Sequence, residues 1–567
     1  MFSLSKFFPY KFDKKYSKPV AYFSMEFAVD QALKIYSGGL GFLAGSHMRS
    51  AFELKQNMIG ISILWKYGYY DQTRNMDGSL SPKFVEKDYS FLTDTGINFT
   101  ITIHHHPVRV KAWLLKPEVF NTAPIFLLDT DIPENDHLAQ TICHRLYDNH
   151  ESARIAASIL LGNGGAKLLD EIGRQTEIYH MNEGHALPLC FYLLKKHGSI
   201  EEVKKRVVFT THTPEKAGNE EHSINTLDVM GFFQGVDMDT VKKLASPDER
   251  SLSYTLTALR MASIANGVSV LHGVVSRKMW EGFDGICEIT SITNAQNKKY
   301  WMDASMETFH KRGNDKGLVE RKKEMKRALF KTVANQTGKI FDENVFTIVW
   351  ARRFAGYKRA DLLMRDFDRF IELTSNAKMP VQIIWAGKPY PQDEGALNLF
   401  NEIYYKTQKL PNCAVLVGYE MELSALLKRG SDAWLNTPRM YREASGTSGM
   451  TAAMNGSINI SISDGWVPEF SKDGQNCFII PSGDDSLDTE TKDRLEAKNL
   501  LDILTQKVLP LYYKKPKAWT KIVKQSMKDV LPFFGSNRMA AEYYEKMYSE
   551  APAKKSKKKT VKEGQLV

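Results

Sequence analysis

Short β-branched runs alternate with longer helical patterns along nearly the whole chain. AYFSME, MIGISILW, PIFLLD, EIYHMN and RVVFTTHTP come first, then FTIVWARR, VQIIWAG, AVLVGY, DAWLNTP and INISISD. Runs this apolar have both faces buried, which requires a sheet covered on two sides, and stretches such as ESARIAASILLGNGGAKLLDEIG and MELSALLKRG supply the cover. The pattern predicts an α/β fold on parallel sheets. At 567 residues the chain exceeds what one core organises. We divide it into domains 1–300 and 301–550, with a charged helical segment over 311–339 beside the junction, a final helix at AAEYYEKMYSE and a basic, disordered tail over 551–567. Polar and glycine residues gather at the C-terminal ends of the strands, where open α/β sheets bind ligands. Two such ends facing each other make a cleft able to shield group transfer from water.

The net charge of +10 sits at the two ends. The tail KKSKKKTVKE holds six Lys and one Glu, and Lys6 to Lys18 holds five Lys and one Asp, which leaves about +1 for the body and argues against a nucleic-acid partner. No long apolar run suggests a membrane span and no leader pattern opens the chain, so a cytoplasmic location is expected. The five cysteines are scattered without a Cys-x-x-Cys pair, as in a reduced protein without a zinc site. His104 to His106 fall in FTITIHHHPVRVKAW, read as one surface strand, in which adjacent rings point to opposite faces and do not converge on a metal.

Five motifs carry chemistry. YSGGLGFLAGSHM gives a glycine turn leading into a helix whose N-terminus suits an anion. ARRFAGYKRADLL follows a buried strand directly, and Arg353 and Lys358 offer a fork and a point charge for an oxyanion. YHMNEGHALP and FTTHTPEKAG end strands with a histidine each. His185 reads as structural and His212 as a ligand contact. REASGTSGMTAAMNG is a turn of small residues entering a helix, a second anion-binding arrangement.

In order and spacing these motifs, with LLDTDIPEND, TNAQNKKYW and WAGKPYPQDE, resemble the α-glucan phosphorylases, in particular the short bacterial type, from about Ala21 to Phe470. The resemblance implies a GT-B fold of two Rossmann-like domains. It also implies reversible, retaining transfer of an α-glucosyl unit between an α-1,4-glucan or maltodextrin and phosphate, with glucose 1-phosphate as product. Matched by position, Gly38, Gly39 and Leu40 fall on the phosphate-facing loop, Arg353 and Lys358 on the phosphate-binding pair, and His212 beside the reacting glucose. Asn294 matches a sugar-contacting Asn, and Glu443, Ser445 and Gly446 match the edge that holds glucose hydroxyls. The oxocarbenium-like transition state of such a transfer needs a nearby anion, and Arg and Lys hold that anion.

The family binds pyridoxal phosphate through an imine on a lysine eight residues beyond Glu443, on the cofactor side with Thr447. Here that residue is Thr451, whose hydroxyl cannot form an imine, so covalent attachment is not expected there. Ser46 stands where an Asp is common, Ala295 where a Gly is common and Asn219 where a His is common. Ala295 brings the backbone angles of its turn into question. Two other readings stay open: a glucan synthase-like transferase using a nucleotide sugar, with Thr451 on the donor ribose, and a catalytically silent glucan-binding protein. A homo-oligomer is compatible with the sequence.

Overall fold

The structure, a computed structural model, describes residues 7–215 and 218–549, so the 551–567 tail lies outside the described residues. Among the described residues, fifteen strands form two large sheets. The first contains β1 (Val20–Phe23), β2 (Met58–Ile63), β3 (Thr93–Ile103), β4 (His106–Leu115), β5 (Ile125–Asp129), β6 (Ile178–Asn182), β7 (Val207–Thr210), β8 (Ile264–Gly267) and β9 (Glu288–Ser291). Their order is β9-β8-β7-β6-β1-β2-β5-β4-β3. The second contains β10 (Phe346–Ala351), β11 (Val381–Ala386), β12 (Cys413–Leu416), β13 (Ala433–Asn436), β14 (Ile458–Ser461) and β15 (Phe478–Ile479), in the order β12-β11-β10-β13-β14-β15. Pairing is parallel throughout the second sheet and in the first as far as β5. Every residue of β1, β2, β5, β6 and β10 to β14 is buried, which is why these strands read as continuous apolar runs.

One edge departs from the sequence reading. FTITIHHHPVRVKAW is a hairpin and not a single strand: His104 and His105 take φ of 50° and 62° and turn β3 into antiparallel β4, which pairs antiparallel with β5. A two-residue turn of this hand needs positive φ at both central residues, and the twist match outweighs the cost of placing histidines there.

The 23-residue helix α2 (Asp315–Thr337) falls in the charged segment between the sheets. Helix α5 (Ser536–Tyr543) and the π-helical turn after it, which the sequence division places with the second half, pack onto the first sheet. Met539, Tyr543 and Tyr548 are buried in that sheet's core. Hydrogen bonds to the two tyrosine hydroxyls offset the polar cost of burial: His180 Nδ1 lies 2.5 Å from Tyr548 Oη, and Asn266 Nδ2 donates to Tyr543 Oη at 3.2 Å. No helix among the described residues is long and apolar enough to cross a membrane.

Candidate functional site

Loops at the C-terminal ends of both sheets converge on a cavity of about 300 Å³. From the first sheet, the segment after β1 leads to α1 (Gly39–Glu53). Glu26, 1% exposed, fixes its approach. Oε2 accepts the Ser37 N–H at 2.6 Å and the Gly38 N–H at 3.3 Å, while Oε1 accepts Tyr147 Oη at 2.8 Å. Gly41 is a glycine because a Cβ there would lie 2.7 Å from Glu26 Oε2 and 2.6 Å from Tyr36 Cβ. Gly39 and Leu40, in the first helical turn, have N–H groups with no acceptor inside the helix, and both residues line the cavity.

His212 enters just after β7. Asn182 Nδ2 donates to Ser24 Oγ at 3.2 Å, which aims the Asn182 carbonyl at His212 Nε2, 2.7 Å away. The ring therefore carries its proton on Nε2, and burial, reinforced by His272 and His185, lowers its pKa to about 3 and keeps it neutral. The His212 N–H donates to Glu183 Oε2 at 2.7 Å. Asn294 also lines the cavity, 4% exposed, with Oδ1 unpartnered. Ala295 beside it is buried and is absent from the residues with positive φ, so this turn does not need a glycine. Ser46 is spent on packing, its hydroxyl donating to Gln296 Oε1 at 2.6 Å.

From the second sheet, β10 delivers Arg352 and Arg353, and the short turn Gly356–Lys358 delivers Lys358. Lys358 Nζ and Arg352 Nη2 both donate to Glu443 Oε2, at 2.8 and 2.7 Å. Burial alone would raise the Glu443 pKa, but these two cations outweigh it and hold it at about 2. Arg352 Nη1 remains buried without a partner. Arg353 is exposed on the cavity wall. Behind Glu443, Asp464 accepts the Glu443 and Gly465 N–H groups at 2.9 and 2.8 Å, and burial pushes its pKa to about 7.

Gly446, at φ 88°, turns the chain into α4 (Thr447–Met454), a conformation that favours glycine. Ser445 Oγ is buried and unpartnered, and Ser445, Gly446 and Thr447 line the cavity. Thr451 does not. One turn further along α4 it is fully buried, and its hydroxyl donates to Ser448 O at 3.0 Å. It is therefore unavailable to a donor ribose, contrary to that expectation. The other site residues read from the sequence meet on this one cavity.

Sequence reasoning missed Glu26, Arg352 and Glu183. Arg352 precedes a residue already assigned, so only its pairing with Glu443 exposes it. Glu183 was visible as part of YHMNEGHALP but not as strained: it takes φ 74°, and burial raises its pKa to about 7 against the opposing His212 N–H and Thr213 hydroxyl. It lies on a second recess of about 410 Å³ that shares Ser37, Leu40, Tyr147 and Arg353 with the first. Tyr69, Tyr254 and Tyr390 wall this recess, and Asn219 and His185 reach it too.

No family model matches the chain. It is 45% identical over 534 residues to an uncharacterized protein of Methanocaldococcus jannaschii, covering 94% of this chain and all of that one. It is 33% identical over 599 residues to a maltodextrin phosphorylase of Thermococcus litoralis, covering 95% of this chain and 71% of that one. With a glycogen phosphorylase of Mycobacterium tuberculosis it shares 32% identity over 625 residues, 95% of this chain and 72% of that one.

Proposed function

The chain belongs to the glycogen and maltodextrin phosphorylase family, and from that premise we propose that its cleft transfers an α-glucosyl unit reversibly, with retention, between an α-1,4-glucan and inorganic phosphate, without a cofactor imine at position 451. One observation carries this reading. Asn294 Oδ1, Ser445 Oγ and Arg352 Nη1 are buried, unpartnered polar groups on a single cavity, beside the exposed Arg353. Buried polar groups are rarely left unpaired, and sugar hydroxyls together with a phosphate would satisfy these.

In this reading Arg353, Lys358 and the first-turn N–H groups of α1 hold the phosphate beneath the anomeric carbon. There its charge stabilises the oxocarbenium-like transition state. Neutral His212 hydrogen-bonds a glucose hydroxyl through Nδ1, since Nε2 is engaged by Asn182. Glu443, Ser445 and Gly446 bind hydroxyls on the opposite edge of the ring. The second recess, walled by tyrosines, takes the rest of the glucan by stacking. Substrates of this kind suit a cytoplasmic enzyme.

Pyridoxal phosphate, when bound in this family, supplies a phosphate group that acts on the substrate phosphate. Arg352, Lys358 and the α4 turn at Thr447 fit that anionic end, whereas Thr451 offers no amine. An inorganic anion would fill the same place. The nucleotide-sugar reading is weakened by the burial of Thr451 and the engagement of its hydroxyl.

The test is release of glucose 1-phosphate from maltodextrin and phosphate, with and without added pyridoxal phosphate. Release supports the proposal. Oligosaccharide binding with no product under either condition overturns it in favour of a silent glucan-binding protein.

A further inference from the structure

The cleft takes the C-terminal ends of the second sheet, and a separate cavity of about 220 Å³ lies at the opposite ends, beside Glu343, just before β10, and Asp432, just before β13. It shares no lining residue with the cleft or its recess. Met306, Leu318, Val319, Trp519 and Val523 give it apolar walls. Trp519 is 7% exposed, and Tyr512 meets its ring edge-on with the centroids 5.6 Å apart, so each ring holds the other in place. Sites for drug-sized ligands run from roughly 300 to 1,000 Å³, so this smaller space suits a single ring.

Its charged groups do not balance. Asp432 is matched by Lys326, whose Nζ lies 2.5 Å from Oδ2, and Glu343 by Arg327 at 3.0 Å. Lys322, which also lines the cavity, donates only to carbonyls: Arg429 O in the last turn of α3 (Met421–Gly430), Ser431 O just beyond it, and Asn455 O at the C-terminal cap of α4, at 2.9, 2.9 and 2.7 Å. Burial lowers the Lys322 pKa to about 7, so an anion beside it would favour the ammonium and strengthen these three bonds. Lys323, half-exposed on the same cavity, has neither a hydrogen bond nor an ion pair among the described residues, and neither Tyr512 Oη nor Trp519 Nε1 has a hydrogen-bond partner among them. The Thr520 hydroxyl is already spent on Pro516 O at 3.0 Å. What the cavity leaves unspent is a set of donors with surplus positive charge, and an acceptor-only anion carried on an apolar ring complements it.

We propose that this cavity binds a small aryl carboxylate, with the ring against Trp519 and Val319 and the carboxylate on Lys323 and the Tyr512 hydroxyl. The proposal does not depend on the glucosyl-transfer reading, because none of these residues lines the cleft. The site nevertheless adjoins the cleft's framework: Lys322 and Gly456 place it at the C-terminal end of α4, the helix whose first residue, Thr447, lines the cleft.

The experiment is calorimetric titration of the full-length protein at neutral pH with phenylacetate and with its uncharged counterpart phenylacetamide, each with and without excess inorganic phosphate to fill the anion site of the cleft. The expected result is one saturable site for phenylacetate that phosphate does not displace, with the amide bound about tenfold more weakly or worse. Lys323→Ala should weaken phenylacetate by about the same factor while keeping the wild-type unfolding midpoint, because it removes a half-exposed group without a partner among the described residues. Absence of saturable binding at millimolar phenylacetate, equal affinity for the two probes, displacement by phosphate, or unchanged affinity in Lys323→Ala overturns the proposal. The comparison of the two probes uses wild-type protein, so it decides the matter even where a variant fails to fold.

Discussion

Lys358 Nζ stands 2.8 Å from Glu443 Oε2 at the back of the cleft, and Arg352 shares that oxygen at 2.7 Å. The pair joins the turn after β10 to the entry of α4, so the anion-binding and sugar-binding edges are positioned by one buried carboxylate.

Glu443→Gln removes the counter-charge of two buried cations. Loss of one partner from a buried ion pair costs roughly 3–5 kcal/mol, so the midpoint of thermal unfolding at neutral pH should fall. The Glu443 pKa lies at about 2 in the folded state against 4.5 ordinarily, so its stabilisation is complete above pH 4.5 and is lost as pH falls towards 2. The variant's acid limb should be shallower across that window in calorimetric scans.

Arg353 and Lys358 should separate in their effects. Arg353→Ala removes an exposed group that has no ion pair among the described residues, so stability should change by no more than about 0.5 kcal/mol while the KM for phosphate rises. Lys358→Ala should lower kcat by about 10²–10³-fold and also destabilise the fold. Steady-state phosphorolysis with varied phosphate, alongside unfolding curves, checks both.

Glu183 works in the opposite sense to Glu443. Burial raises its pKa from 4.5 to about 7, so its contribution to stability is complete below pH 4.5 and is lost as pH rises through 7. Glu183→Gln should flatten that decline in unfolding midpoints measured from pH 4.5 to 8.

Gly41→Ala places a methyl 2.7 Å from Glu26 Oε2, and overpacking of this kind costs about 1–3 kcal/mol. Displacing Glu26 releases the Ser37 and Gly38 N–H groups, so the KM for phosphate should rise together with the loss of stability. A variant with unchanged phosphate kinetics would show that Glu26 does not position the loop.

Tyr548→Phe leaves the buried His180 Nδ1 without a partner, which should cost about 1–3 kcal/mol in denaturant unfolding. Such a loss would tie the C-terminal segment to the stability of the first sheet.

Local order fixed much of what the chain becomes. Continuous β-branched runs dictated buried parallel strands, because period-two and fully apolar patterns report which faces are covered. Glycines and charges at strand ends located the cleft, and the amino acid at 451 alone excluded an imine there. The tertiary structure decided the partnerships. Arg352 meets Glu443 across 91 residues, α5 returns to the first sheet, and Thr451 turns away from the cavity. Lys428 likewise stands over the rings of Trp301 and Phe42, residues that no local pattern links to it. Periodicity records the burial of a segment against its surroundings, but pairing between distant side chains depends on how helices and sheets pack, and that exists only once the whole chain has folded.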